Sequence, residues 1–314
     1  MAVTEDIGPG DVTSNSLLGE DVAIRGQFIA KQPGVIAGLP VARYVFARLS
    51  RRIRLKALVE DGAKVQAGQV IATIRGPARA ILAGERLSLN FLQRLSGIAT
   101  LTAEFVRRAK GARAQILDTR KTTPGWRYLE KYAVRMGGGT NHRQGLYDMV
   151  LLKDNHIRIA DAQRHLAGQS WPALGTGIGH AVSRARRHAP AGMTVEVEAQ
   201  NMQQVQEALD AGADIIMLDN LSPPEMREAV RLIRSASRPS CAVCRPHAHT
   251  PIRPHASLAD LPLAGRWPPL IEASGGVSLK TVRAVAQTGV DFISVGALTH
   301  SAPALDISLE LEAN

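Results

Sequence analysis

The residues between Asp118 and His156 hold the densest group of side chains that could do chemistry. Their cations lie beside the glycines 137–139 and after short apolar segments, rather than in one continuous charged run. Guanidinium and ammonium groups bind carboxylates and phosphates, and glycine lets backbone N–H groups approach an anion. This stretch therefore predicts a site for an anionic ligand. The cations are Arg120, Lys121, Arg127, Lys131, Arg135, His142, Arg143, Lys153 and His156.

Short apolar runs alternate with amphipathic helical patterns from residue 115 onward, which indicates a parallel sheet. Polar side chains follow the end of each run, as in the active sites of α/β barrels. A doubly wound sheet usually gathers its ligand groups at one switch point instead. We therefore predict an α/β barrel of six or seven strands in residues 111–302, with insertions at about 165–177 and 236–269. The predicted strands are 115–118, 149–152, 195–198, 214–218, 270–274 and 291–295.

Residues 1–110 predict a separate α+β domain. Alternating runs are broken at Pro33-Gly34 and Asp61-Gly62, which indicates paired strands, and residues 78–110 have strong helical periodicity. Residues 55–76 also resemble half of a biotinyl or lipoyl carrier domain. A carrier presents its lysine at a hairpin tip between two such halves, and Lys64 lacks that setting, so we interpret this resemblance as structural only.

Two acids end consecutive predicted strands at the same barrel mouth, Glu198 and Asp219. Such a pair can hold Mg²⁺ through its water shell or stabilise a developing cation electrostatically. The alternative for either acid alone is a helix N-cap or a salt-bridge partner. Small residues follow the last two strands, where many barrels bind phosphate through backbone N–H groups. These residues are Ser274, Gly275, Gly276 and Gly296.

Composition narrows the function classes. The net charge of +10 fits nucleic acid, a membrane surface, small polyanions or plain solubility charge. Nucleic-acid binding usually requires aromatic platforms or a basic helix, and aromatic residues make up only 4% of this chain, so we expect no nucleic-acid partner. No signal peptide and no apolar run of about 18 residues is found, so we expect no membrane partner. Two cysteines exclude a disulfide framework and predict a cytoplasmic protein.

The 236–269 insertion contains a C-x-x-C pair followed by histidines, which is a candidate zinc site. Its second half lacks regular ligand spacing, and its many prolines favour an irregular surface loop. The residues concerned are Cys241, Cys244, His247, His249 and His255.

Several segments resemble the quinolinate phosphoribosyltransferase family, the type II phosphoribosyltransferases of NAD biosynthesis. They cover nearly the whole chain in family order, and the central segment is long and specific. A helix usually precedes the first segment in the family, and the insertions are longer than expected. The segments are EDIGPGDVTS at 5–14, ERLSLNFLQRLSGIAT at 85–100, DTRKTTPG at 118–125, KYAVRMGGGTNHRQGLYDMVLLKDNH at 131–156, VEVEAQN at 195–201, IIMLDN at 215–220, EASGGV at 272–277 and GVDFISVGALTHSAPALDISL at 289–309.

The resemblance implies an α/β fold with a C-terminal α/β barrel. The N-terminal α+β domain would be an open sandwich, joined by a C-terminal helix at about 303–314. It implies quinolinate and 5-phosphoribosyl 1-pyrophosphate as substrates, with nicotinate mononucleotide, pyrophosphate and CO₂ as products. Mg²⁺ is the implied cofactor, held by Glu198 and Asp219 through water. The active unit would be a homodimer or higher, because Arg86 would reach quinolinate from the neighbouring subunit.

The other roles follow by position in the family pattern. Lys121, Lys153, Glu198 and Asp219 would be catalytic. Quinolinate would be bound by Thr119, Arg120, His142, Arg143 and Lys153. The phosphoribosyl donor would be bound by Lys121, Glu198, Asp219, Asn220, Ser274, Gly275, Gly276 and Gly296. Another type II phosphoribosyltransferase, such as the nicotinate enzyme or a related protein of molybdenum gene clusters, is the nearest alternative.

Overall fold

A computed structural model describes residues 1–166, 177–237 and 257–313, which divide into two compact units. The first unit contains Met1–Glu104, Thr123–Gly138 and Leu298–Asn314, and the second contains Phe105–Thr122 and Gly139–Ala297. None of the described helices is long and apolar enough to cross a membrane. The candidate zinc ligands and most of the 165–177 insertion lie outside the described residues.

The strands and helices are numbered in chain order. The strands are β1 Ala23–Ala30, β2 Gly34–Val35, β3 Arg54–Ala57, β4 Lys64–Val65, β5 Val70–Pro77, β6 Gln115–Leu117, β7 Val150–Leu152, β8 Val195–Ala199, β9 Ile215–Asp219, β10 Leu270–Ser274, β11 Phe292–Ser294 and β12 Ile307–Ala313. The α-helices are α1 Ala2–Ile7, α2 Val12–Leu17, α3 Leu39–Leu49, α4 Ala78–Ala109, α5 Arg127–Met136, α6 Asp154–Leu166, α7 Gly177–His188, α8 Met202–Asp210, α9 Pro223–Ser235, α10 Val282–Ala286 and α11 Ala297–His300.

The second unit is built on a parallel six-stranded sheet in the order β6-β11-β10-β9-β8-β7. The first strand of this unit pairs with the last, and every other neighbour is consecutive along the chain. That order describes a sheet that winds in one direction around an axis, whereas a doubly wound sheet reverses its direction midway. The predicted α/β barrel is therefore confirmed as a barrel-like domain, with six strands among the described residues.

The barrel strands form because their sequences are short runs of apolar, often β-branched residues. Every residue of β8 is buried, as expected for a parallel strand covered on both faces. The helices between the strands begin at recognisable caps. Ser222 and Glu225 form a capping box at the start of α9, and the Asn201 side chain accepts from the backbone N–H of Gln204 at 3.0 Å to start α8.

The first unit has a four-stranded antiparallel sheet in the order β12-β1-β5-β3. The predicted helix at about 303–314 is wrong, because this segment forms β12 and pairs with β1 from Ile24 to Ala30. Its sequence ISLELEA alternates apolar and polar residues, and that period of two is the pattern of a half-buried strand. Gly26 on β1 allows the close approach, since a Cβ there would lie 2.6 Å from the side chain of Leu311.

Helix α5 groups with the first unit, so the units are discontinuous in sequence and differ from the predicted boundary at residues 110 and 111. Three contacts within the first unit explain this grouping. The Trp126 ring stacks on Phe91 with centroids 4.8 Å apart, and Arg94 donates to the buried Glu130 carboxylate at 2.8 Å. The Tyr132 hydroxyl donates to Asp61 at 2.6 Å.

Candidate active site

The carboxyl ends of the six parallel strands lie at one edge of the second unit, and the predicted site residues follow them there. On the first half of the sheet, Thr119, Arg120 and Lys121 lie just after β6, Lys153 lies just after β7, and Glu198 lies in β8. On the second half, Asp219 and Asn220 lie at the end of β9, Ser274, Gly275 and Gly276 lie at the end of β10, and Gly296 lies after β11. Arg86 is exposed on α4 in the first unit. One edge of the barrel thus gathers cations, acids and glycines that are far apart in sequence.

Lys153 and Glu198 form an ion pair between the ends of β7 and β8. The carboxylate is buried while the lysine is exposed, so the ammonium group lies at the rim of the barrel. The backbone N–H of Lys153 donates to Nδ1 of His156 at 3.1 Å as α6 begins. The pair connects a residue that the sequence resemblance predicts for quinolinate with one that it predicts for the phosphoribosyl donor.

Arg143 is buried, and its guanidinium donates to the carbonyl oxygen of Met149 at 3.1 Å. Burial and the neighbouring Arg120 guanidinium both lower the pKa of Arg143, while Glu196 and Asp148 oppose that shift. Two guanidinium groups that repel one another are stabilised by an anion placed between them. Arg120 and Arg143 therefore form the cationic part of the candidate site.

Asn220 joins the ends of β9 and β10. Its backbone has φ of 57°, a left-handed conformation that asparagine tolerates better than most residues. Its side-chain amide donates to Asp219 at 3.0 Å, and its backbone N–H donates to the Ser274 carbonyl oxygen at 2.9 Å. A Cβ at Gly275 would lie 2.1 Å from the Asn220 side-chain oxygen, so glycine is required for this close contact.

The sequence prediction included His142 but missed two acids that lie beside it inside the barrel. Nε2 of His142 lies 3.2 Å from Glu196 and 3.4 Å from Glu272, and all three side chains are buried. Nδ1 of His142 accepts from the backbone N–H of Arg143 at 2.7 Å. The signal that could have found the cluster is an acid in the middle of an otherwise apolar strand, in VEVE and again in LIEAS.

Burial and charge act in opposite directions on the His142 ring. Burial alone would lower the pKa of His142, but Glu272 and Glu196 outweigh it and raise this pKa to about 10. The Arg143 N–H at Nδ1 opposes a second ring proton, so it favours the neutral form with its proton on Nε2. In either form Nε2 carries a proton that faces the glutamates. Burial also raises the pKa of Glu196 to about 7, with Glu272 adding to this shift and His142 opposing it.

Asp118, at the end of β6, fixes the backbone next to this cluster. Its fully buried carboxylate accepts from the backbone N–H of His142 at 2.8 Å and from the side-chain amide of Asn141 at 2.6 Å. Asn141 in turn forms an isolated parallel β-bridge with Ser257 through the backbone. The segment from Asn141 to Arg143 is therefore held on several sides before it reaches the barrel mouth.

The raised pKa of Glu196 predicts a contribution to stability that falls with increasing pH. Between pH 4.5 and about 7, folded Glu196 keeps a proton that the unfolded chain has lost. This contribution is complete below pH 4.5 and is lost as the pH rises through about 7. Unfolding midpoints of the wild type and Glu196→Gln measure this effect. The variant is expected to lose less stability between pH 5 and 7, and an equal loss would contradict the assignment.

A parallel α/β barrel with a cationic rim beside strand-end carboxylates defines an enzyme site for small polyanionic substrates. Residues 11–96 match the family described as quinolinate phosphoribosyl transferase, N-terminal domain, and residues 98–244 and 256–310 match its C-terminal domain. The chain belongs to the quinolinate phosphoribosyltransferase family.

Individual relatives agree with this membership. The chain is 41% identical over 98% of its length to the probable nicotinate-nucleotide pyrophosphorylase (carboxylating) of Bacillus subtilis, and it covers 90% of that protein. It is 37% identical over 99% of its length to the nicotinate-nucleotide pyrophosphorylase (carboxylating) of Mycobacterium leprae, covering 94% of it. The crystal structure of NadC from Streptococcus pyogenes aligns with a TM-score of 0.81 at 34% identity, covering all of this chain and 94% of that one.

Proposed function

We propose that this chain converts quinolinate and 5-phosphoribosyl 1-pyrophosphate into nicotinate mononucleotide, pyrophosphate and CO₂. The observation that carries the proposal is the pair of neighbouring guanidinium groups, Arg120 and Arg143, at the carboxyl edge of a barrel of this family. Arginine forks suit carboxylates, and quinolinate offers two of them on adjacent ring carbons. The relatives named above carry the corresponding reaction in their names.

The dicarboxylate end of the site is formed by Arg120, Arg143 and Lys153, with Thr119 beside them. Because Lys153 is also bonded to Glu198, its ammonium group can lie between the substrate carboxylate and the phosphoribosyl donor. His142 belongs to this end through its backbone neighbour Arg143. These assignments give quinolinate more positive charge than a monocarboxylate such as nicotinate requires, and this favours quinolinate as the acceptor.

The donor end of the site is formed by the loops after β9, β10 and β11. Glycine at 275, 276 and 296 lets backbone N–H groups approach phosphate oxygens, and Lys121 adds a cation. Asn220 orients Asp219 through the 3.0 Å bond from its amide. The eight residues proposed for the donor are Lys121, Glu198, Asp219, Asn220, Ser274, Gly275, Gly276 and Gly296.

Glu198 and Asp219 fit a magnesium ion by donor chemistry. Their carboxylates end neighbouring strands, and oxygen ligands that act partly through water are those that Mg²⁺ prefers. When bound there, the ion would neutralise charge on the departing pyrophosphate. Mg²⁺ dependence is part of this proposal.

The chemistry follows mainly from positioning. The quinolinate ring nitrogen attacks C1 of the ribose as the bond from C1 to pyrophosphate breaks, and the bonding electrons leave with pyrophosphate. Glu198 and Asp219 stabilise the positive charge that develops at C1. With the ring nitrogen quaternary, the bond to the adjacent carboxylate breaks to release CO₂, and the electron pair left on the ring takes a proton. Lys153 or one of the two arginines would stabilise that ring carbanion.

The proposal also includes a homodimer or larger assembly in which Arg86 of one subunit reaches quinolinate bound to another. Arg86 is an exposed side chain on α4, and an exposed guanidinium is available for such a contact. A cytoplasmic location is also part of the proposal, on the ground that the chain has only two cysteines. Sedimentation measures the oligomeric state. The shared site is tested by mixing Arg86→Ala with a variant altered at the barrel site and measuring the activity of the mixture. Recovery of activity on mixing is the expected result.

Release of labelled CO₂ from quinolinate, measured with and without the phosphoribosyl donor, tests the reaction. The expected result is CO₂ release only when the donor is present, together with formation of nicotinate mononucleotide. Nicotinate offered in place of quinolinate is expected to react far more slowly. Turnover of nicotinate without turnover of quinolinate would overturn the proposal and favour the nicotinate enzyme of the same fold class.

Arg120→Ala is expected to raise the quinolinate KM by roughly 10- to 100-fold, the effect of losing a charge-assisted hydrogen bond. The KM for the donor should change little. Arg120 is exposed, so the variant should fold normally. Steady-state kinetics with each substrate varied in turn give the measurement, and Arg158→Ala on the exposed face of α6 is the matched control. An unchanged quinolinate KM in Arg120→Ala would remove Arg120 from the carboxylate site.

A further inference from the structure

We propose that Glu196 and Glu272 are positioning residues that act through His142 and Arg143 on binding of the dicarboxylate substrate. The inference rests on the proposed function and extends it to two acids inside the barrel. Both lie in the interior of their strands, Glu196 in β8 and Glu272 in β10, and both are fully buried. Neither is among the residues that the sequence predicts to bind a substrate.

The geometry gives the two acids one shared partner. Nε2 of His142 and both oxygens of each carboxylate are buried and form no well-aligned hydrogen bond within the described part of the chain, so the imidazole and the two acids face one another directly. Nε2 of His142 lies between them at 3.2 Å from Glu196 and 3.4 Å from Glu272. Burying two carboxylates costs free energy, and apolar residues of similar size usually serve a core at least as well. The fold alone therefore gives no reason for this pair.

A metal ion is the first alternative for one histidine and two glutamates this close together. The second ring nitrogen argues against it. A histidine bound to a metal normally donates its other N–H to an acceptor, but Nδ1 of His142 accepts from the backbone N–H of Arg143. With Nδ1 acting as an acceptor, Nε2 holds the ring proton and has no lone pair for a metal. The arrangement fits a polar clamp on the imidazole, in which the Nε2 proton faces two carboxylates at 3.2 and 3.4 Å.

The clamp has a consequence at the mouth of the barrel. The glutamates hold the ring at Nε2, and Nδ1 on the opposite side of the ring then holds the backbone N–H of Arg143. The Arg143 guanidinium, also bonded to Met149, is thereby aimed beside Arg120. A side chain that binds a planar dicarboxylate works only within a narrow range of positions, so loss of the clamp should weaken binding of this substrate alone.

Glu272→Gln tests the inference, because it keeps the shape and removes one carboxylate charge. Glu196 still faces the imidazole, so the variant should fold with an unfolding midpoint equal to or above that of the wild type. The quinolinate KM is expected to rise roughly tenfold, while the donor KM changes less than about twofold. Combined with Arg143→Lys, Glu272→Gln should add little, because both changes act on the same contact. Glu196→Gln is expected to have the same pattern.

Asp291→Asn is the matched control, since it also removes a buried acid of the same unit. Asp291 pairs with Arg113 at 2.7 Å and with Arg234, at the amino-terminal side of β11. The control should lower the unfolding midpoint and leave both KM values unchanged. The inference would be overturned by any of three results for Glu272→Gln. These are the same pattern as the control, an equal rise in both KM values, and a failure of the variant to fold. Absence of quinolinate turnover by the wild type would instead refute the proposed function.

Discussion

Replacing Glu198 with glutamine is expected to lower kcat by roughly 10²- to 10³-fold. This is the effect typical of losing one group that stabilises the charge developing in the transition state. Glu198 is buried and ends a strand of the barrel beside Asp219 on its neighbour. Glutamine keeps an oxygen that can accept from Lys153, so the change removes charge with little change in shape. Because this carboxylate is also proposed to hold the donor and its Mg²⁺, the donor KM should rise as well, whereas the quinolinate KM should change much less than kcat.

Steady-state kinetics with both substrates at saturation measure this effect. Glu207→Gln is the matched control, since Glu207 lies on α8 and its carboxylate accepts from the Gln203 side chain at 2.9 Å. The control should keep wild-type kcat. A kcat for Glu198→Gln within about threefold of the wild type would contradict a role for this carboxylate at the reacting centre.

Asp214→Asn is expected to destabilise the protein by about 3–5 kcal/mol, the range for breaking a buried ion pair from one side. Asp214 is fully buried where β9 begins, at the edge of the barrel opposite the site. Its carboxylate accepts from the backbone N–H groups of Val195 at 2.7 Å and Gly265 at 2.6 Å, and it pairs with Arg186 at 2.8 Å. Asparagine can satisfy only part of these bonds and leaves the arginine charge without its partner.

Thermal or urea unfolding measures the loss, and a fall in the midpoint of roughly 10 °C is expected for a unit of this size. Asp210→Asn is the matched control, because Asp210 is exposed at the end of α8 and accepts from Gln206 at 2.8 Å. The KM values of folded Asp214→Asn should equal those of the wild type. A midpoint within about 2 °C of the wild type would show that the carboxylate contributes little to stability.

The arrangement of the barrel could be predicted because it depends on local periodicity. Each predicted strand from 115–118 to 291–295 overlaps a strand of the structure, and the helix predicted at 78–110 is α4. The segment 303–314 was predicted wrongly as a helix, although its residues alternate in the pattern of a strand. Its pairing partner β1 is almost three hundred residues away, and propensity has little influence when such a pairing is available.

The site could be predicted only where its residues end a strand. Lys153 and Asp219 stand where a buried run stops, and parallel strands bring such positions to one edge. Glu196 and Glu272 gave no comparable signal, because an acid within an apolar run can face solvent, a helix or the barrel axis. Which of these it faces depends on strand tilt and on the neighbouring layers of side chains.

The amino-acid sequence by itself determined the class of fold, the order of the strands along the chain and the chemical types at the barrel mouth. These follow from periodicity and from residue identity, which are local properties. Tertiary structure alone decided three further features: the pairing of β12 with β1, the grouping of α5 with the first unit, and the position of His142 between two buried glutamates. Each depends on contacts between segments distant in sequence, whose free energy no local pattern contains.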